Sequence, residues 1–109
     1  MLPTVRSAQV CRSLVTRGEW TCTEASGTVP PGTLYFYTRV TASADTTVEH
    51  RWYLRNRLHQ RVQLRIGANQ SGFRTYSRTT ITAERAGPWK VELRSADGRV
   101  LHEENFVVR

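Results

Sequence analysis

The amino-acid sequence predicts an all-β domain, an immunoglobulin-like antiparallel β-sandwich of seven or eight strands, on three observations. Apolar and polar residues alternate with a period of two through most of the chain. The alternating runs are broken by Gly, Pro, Asn and Asp at a spacing of roughly ten residues, which is the cadence of short strands joined by hairpins. Only Thr82 to Ala86 is faintly helical, and Gly87-Pro88 ends it. Alternation is the same for a small closed barrel as for two stacked sheets, so a barrel stays open as the other all-β form.

The first strand is expected over Val5 to Leu14, a turn at Thr16-Arg17-Gly18, and a short return strand from Glu19 to Thr23. Ala25 to Gly32, with Gly27, Pro30, Pro31 and Gly32, has the composition of a loop. Along Thr33 to Thr41, Leu34, Phe36, Thr38 and Val40 share one face, and Tyr35, Tyr37, Arg39 and Thr41 share the other. Val48, His50, Trp52 and Leu54 then oppose Glu49, Arg51, Tyr53 and Arg55. Asn56-Arg57 fits a tight turn, after which Leu58, Gln60, Val62, Leu64 and Ile66 oppose His59, Arg61, Gln63 and Arg65. These two runs form the best hairpin in the sequence. Gly67 to Gly72 reads as a loop, and Phe73 to Thr82 as a strand with Phe73, Thr75, Ser77, Thr79 and Ile81 together. Trp89, Val91 and Leu93 open the penultimate strand, Asp97-Gly98 turns it, and Val100 to Val108 completes the set.

A chain of 109 residues has room for one core, so residues 1–109 are expected to form a single domain. Its hydrophobic content of 39% suits a globular protein, and no apolar run approaches the roughly 20 residues of a membrane span. Met1-Leu2-Pro3-Thr4 leads directly into a polar stretch without a signal peptide, which suggests a module cut from a longer protein.

Cys11 and Cys22 are the only cysteines, and Gly18 between them lets the chain turn back so that they lie on adjacent strands. A disulfide there would contribute roughly 3 kcal/mol by closing its loop, and would place the domain outside the cytoplasm. Two reduced, buried thiols are the competing state. Zinc is disfavoured, because two cysteines with no histidine nearby cannot complete a tetrahedral site. His50, His59 and His102 fall on different strands with no supporting carboxylates, so neither a metal nor another cofactor is expected.

The net charge of +7 comes almost wholly from arginine, with Lys90 the single lysine. Guanidinium is the better planar partner for carboxylate, phosphate or sulfate, although a merely solvated basic surface is the simpler account. Tyr35, Tyr37 and Arg39, then Arg51, Tyr53 and Arg55, then His59, Arg61 and Arg65 form one outward Tyr/Arg face if their strands are neighbours in one sheet. Arg74, Tyr76 and Arg78 extend it or belong to the other sheet. Tyr and Arg favour protein recognition, and the same face suits acidic glycans. Cross-strand Tyr–Arg pairing with no ligand is the plainer alternative. Arg51, Tyr53, Arg61 and Tyr37 are expected to matter most for a partner. His50 and Trp52 share an inward face, and are either core residues or a stacking site for a sugar or peptide. Trp89 is expected in the core, while Trp20, two residues before Cys22, is expected over the bridge or beside the N-terminal loop. The nine acids present no acid–base pair, and no Gly-x-Ser-x-Gly or phosphate-binding loop occurs, so an enzyme is not expected.

Several runs occur in a recognisable order: Leu34-Tyr35-Phe36-Tyr37-Thr38, His50-Arg51-Trp52-Tyr53, Arg74-Thr75-Tyr76-Ser77, Gly87-Pro88-Trp89-Lys90-Val91 and Asp97-Gly98-Arg99-Val100-Leu101, closing on Phe106-Val107-Val108. The order resembles the bacterial family called "domain of unknown function 2914", from about Val5 onward. The Cys11/Cys22 pair is not part of that pattern. The resemblance implies a β-rich module at the C-terminal end of a longer envelope protein, often behind a membrane segment, and brings no activity or ligand with it. With the cysteine pair it leads to the expectation of a periplasmic or envelope-associated recognition or assembly module. Its partner would be another protein or other domains of the parent chain, or else an acidic glycan. Nucleic acid is disfavoured, and no membrane insertion by this domain is expected.

Overall fold

The computed structural model describes residues 2–109. They form nine strands: β1 (Thr4–Val15), β2 (Thr21–Glu24), β3 (Thr28–Val29), β4 (Gly32–Ala42), β5 (Thr46–Leu54), β6 (Arg57–Ile66), β7 (Asn69–Ile81), β8 (Gly87–Ser95) and β9 (Val100–Val108). One sheet has the order β2-β1-β4-β7, and the other β3-β9-β8-β5-β6. All pairings are antiparallel except the short β3–β9 contact. The two sheets pack face to face as a sandwich, the expected one of the two all-β forms that alternation leaves open.

Inward side chains of both sheets make one core. Val10, Leu34, Phe36, Val40 and Ile81 meet Val48, Trp52, Ile66, Trp89, Val91, Leu93, Phe106 and Val108. Each large apolar side chain so enclosed contributes about 1.5–3 kcal/mol. Ala25 and Val29, in the segment expected to be a loop, are buried as well. Val107 N donates to Gly27 O and Arg109 N to Val29 O, tying this segment to β9. Its prolines and glycines obscured a docked edge.

Other boundaries differ for local reasons. The β5–β6 turn is Arg55-Asn56, one residue earlier than expected, with both residues at positive φ, the geometry of a two-residue hairpin turn. Strand β7 begins at Asn69 rather than Phe73. There Asn69 Oδ1 accepts from the backbone of Ser71 and Gly72, and the register with β4 shifts between Val40 and Ala42. The faintly helical stretch is a single 3-10 turn at Ala83–Arg85. No helix among the described residues is long and apolar enough to cross a membrane.

Candidate functional site

The outer face of the β2-β1-β4-β7 sheet gathers four aromatic side chains and three arginines in one place. Register sets Tyr35 opposite Arg78, Tyr37 opposite Tyr76, and Arg39 opposite Arg74, so all six point outward together. On the other flank of β4, Cys11, Gln9 and Ser7 lie opposite Tyr35, Tyr37 and Arg39. Cys11 and Cys22 are disulfide-bonded with Cα atoms 5.4 Å apart, which staples β2 to β1. The stapled arm carries Trp20 over the sheet. Its ring centroid lies 5.7 Å from that of Tyr37 and 5.9 Å from that of Tyr76, and Tyr35 lies 6.1 Å from Tyr76. Tyr37 is consequently buried beneath Trp20, although its backbone position faces outward.

Arginines border this cluster. Arg39 lies along Gly72, where an added Cβ would come within 2.6 Å of Arg39 Cγ. Gly72 also holds φ +113°, so two constraints keep that position glycine. Arg39 Nε is buried with no acceptor. Among the described residues, none of Arg39, Arg74 and Arg78 forms an ion pair within 4.0 Å. The nearby acid Glu24 accepts from the Gln9 amide at 3.2 Å instead.

The single Tyr/Arg face expected from adjacency of the first three long strands is therefore two faces. Strand β4 belongs to one sheet and β5 and β6 to the other, because the Ser43–Asp45 connection crosses the sandwich instead of closing a hairpin. Tyr35, Tyr37 and Arg39 join Arg74, Tyr76 and Arg78. Arg51, Tyr53, Arg61 and Arg65 lie on the opposite side of the molecule.

On that second face most of the charges are paired internally, Arg65 being an exception. Glu49 pairs with Arg51 and, at 3.3 Å, with Arg61. Glu92 pairs with Arg94 at 2.9 Å and with Lys90 at 3.6 Å, and Lys90 reaches Glu103 at 3.8 Å while covering the Tyr53 ring at 4.7 Å. Hydrogen bonds to Tyr53 and then Glu49 raise the Arg51 pKa. Burial pushes the Glu92 carboxyl upward, but hydrogen bonds from Arg94 and Tyr53 outweigh it and hold the pKa below the ordinary range. Arg55 sits in the turn, with its guanidinium against Gly87 and its backbone N donating to Pro88 O, away from either face's centre.

A bulge displaces His59. Trp52 pairs with Gln60 but Tyr53 pairs with Leu58, leaving His59 as the extra residue. It turns toward Trp89, with centroids 5.0 Å apart, and Leu58 is left half-exposed. Strict alternation predicted the reverse for both.

His50 and Trp52 occupy the interior with no exposed area, so neither ring is available to a ligand in this conformation. His50 Nδ1 meets Ser77 Oγ at 2.7 Å and Nε2 meets Thr38 Oγ1 at 2.9 Å, while Trp52 Nε1 donates to Ser77 Oγ at 3.0 Å. Thr38 continues to Thr75 Oγ1 at 3.1 Å. These contacts satisfy both ring nitrogens of a neutral imidazole, and burial lowers its pKa to about 3. No group of three or more metal-ligating side chains occurs among the described residues.

A family model described as "Protein of unknown function (DUF2914)" matches residues 45–108. The chain belongs to the DUF2914 family. The DUF2914 segment holds β5 to β9, and with them Arg74, Tyr76 and Arg78. It leaves out the stapled arm with Trp20, and also the run Leu34 to Thr38, so the match is narrower than the resemblance from Val5 onward. No curated protein matches this DUF2914 chain. A crystal structure of an engineered protein shares the fold at a TM-score of 0.50 and 10% identity, covering 94% of this chain and 20% of that one. The chain thus spans about a fifth of its structural neighbour's length.

Proposed function

We propose that this domain is a non-catalytic recognition or assembly module working outside the cytoplasm, and that the outer face of the β2-β1-β4-β7 sheet meets a protein partner. One observation carries the reading: four aromatic rings, Trp20, Tyr35, Tyr37 and Tyr76, are packed beside three arginines that lack carboxylate partners among the described residues. Trp, Tyr and Arg dominate protein-binding hot spots because each joins a large contact area to a polar tip. The disulfide supports an oxidising compartment. It also holds Trp20 in place before any partner arrives, which lowers the ordering cost of binding.

Tyr35→Ala with Tyr76→Ala tests the reading by thermal melting and by capture of the partner from the producing cell's envelope fraction. The melting temperature is expected to fall by a few degrees, and capture of the partner that the unaltered domain retains is expected to be lost. Retained capture by the folded double variant would remove the site.

A further inference from the structure

Resting on the recognition face just described, we infer that its partner is an acidic protein segment whose carboxylates meet Arg39, Arg74 and Arg78 while its apolar side chains meet the aromatic cluster. Charge complementarity is the first argument. On the far face Arg51, Arg61, Lys90 and Arg94 each have a carboxylate within 4.0 Å and Arg65 does not, whereas all three arginines here have none among the described residues. Planar guanidinium groups left without an internal partner are suited to bidentate carboxylate recognition. Arg39 and Arg74 stand directly across from each other, and Arg78 lies beyond Tyr76 on the same strand face. Arg74 and Arg78 are four residues apart on β7 with Tyr76 between them, so an extended chain would meet them with carboxylates four apart and an apolar side chain at the position midway, all on one face.

Ring geometry separates a protein from a glycan. A sugar stacks on an open ring face. Here Trp20 is tilted by 38° against Tyr37 and stands at 69° to Tyr76, and Tyr35 is tilted by 59° to Tyr76. The rings lean on one another and offer no flat, coplanar platform. Such a mutually tilted cluster suits irregular apolar side chains. The acids nearest in the arm are Glu24, held by Gln9, and Glu19, just before Trp20 in sequence, and neither is paired with the three arginines.

Three probes test the inference on the intact, oxidised domain: a Glu/Leu peptide repeating Glu-Ser-Leu-Ser, which sets both residue types on one face, a peptide repeating Glu-Ser-Ser-Ser, and an oligogalacturonate with the same number of carboxylates. Binding is followed at physiological salt by amide NMR. The Glu/Leu peptide is expected to bind about tenfold more tightly than the other two, with shifts centred on Trp20, Tyr35 and Tyr76. Arg74→Gln with Arg78→Gln should weaken it roughly tenfold, and Arg57→Gln with Arg99→Gln, which removes equal charge elsewhere, by no more than about twofold. Equal losses from the two double variants would reduce the effect to net charge and overturn the inference. Tighter binding of the galacturonate would replace protein with glycan and leave the face intact. Shifts centred on another surface would instead overturn the recognition face itself.

Discussion

The two outer faces of the sandwich are built from the same residue types and differ in what those residues do. On the β5–β6–β8–β9 side, Arg51, Arg61, Lys90 and Arg94 are spent on Glu49, Glu92 and Glu103, and Tyr53 is covered by Lys90. On the β2-β1-β4-β7 side, aromatic rings pack on one another, and Arg39, Arg74 and Arg78 have no carboxylate within 4.0 Å among the described residues. The contrast teaches that a count of basic residues does not locate a binding surface. Internal pairing does, since a charge already neutralised gains little from a partner.

The largest expected effect belongs to the disulfide. Cys11→Ser with Cys22→Ser should cost about 3 kcal/mol by freeing the closed loop, and should move Trp20 fluorescence to the red as the ring leaves Tyr37 and Tyr76. Amide shifts in β6 and β8 should stay put. If they moved as far as those in β4 and β7, the two faces would not be independent.

Next comes the interior beneath both faces. His50 is neutral in the folded state, with a pKa of about 3, against an ordinary value of 6.5. Between those values the unfolded chain binds the additional proton, so stability is complete above pH 6.5 and falls as the pH drops toward 3. The slope should be about 1.4 kcal/mol per pH unit for this one group. His59 is shifted the same way by burial and by Arg85, so it adds to the slope. Chemical denaturation from pH 6.5 to 5, above the carboxylate range, should show a slope that His50→Gln removes in large part. An unchanged slope in that variant would assign the effect elsewhere.

The smallest effect is expected from the paired face. Arg51→Gln with Arg61→Gln should change stability by about 1 kcal/mol or less, because partly exposed ion pairs contribute little, and partner binding should be unaffected. Added salt should shrink even that. A clear loss of binding here would erase the distinction between the faces.

How far the sequence foretells this arrangement depends on what each signal measures. Alternation reports which side chains turn inward, and it correctly separated Phe36, Thr38, His50, Trp52, Ser77 and Ile81 from their neighbours. It is silent on which strands lie side by side. Ser43-Ala44-Asp45 looks like a hairpin turn but carries the chain from one sheet to the other, so Tyr37 and Tyr53 end on opposite surfaces. Bulges defeat alternation locally, as at His59. Trp20 was the hardest to place, because its position over Tyr37 depends on the staple and on a loop without periodicity. The cysteine spacing was the available clue, and it pointed to the bridge rather than to the ring resting above the sheet.

The most direct measurement is site-specific photo-crosslinking in the cell that makes the protein. A photoreactive residue is placed at exposed Tyr76 on one face or at exposed Gln63 on the other. The account predicts a discrete protein adduct from position 76 and none from 63. Adducts from 63 alone would contradict it.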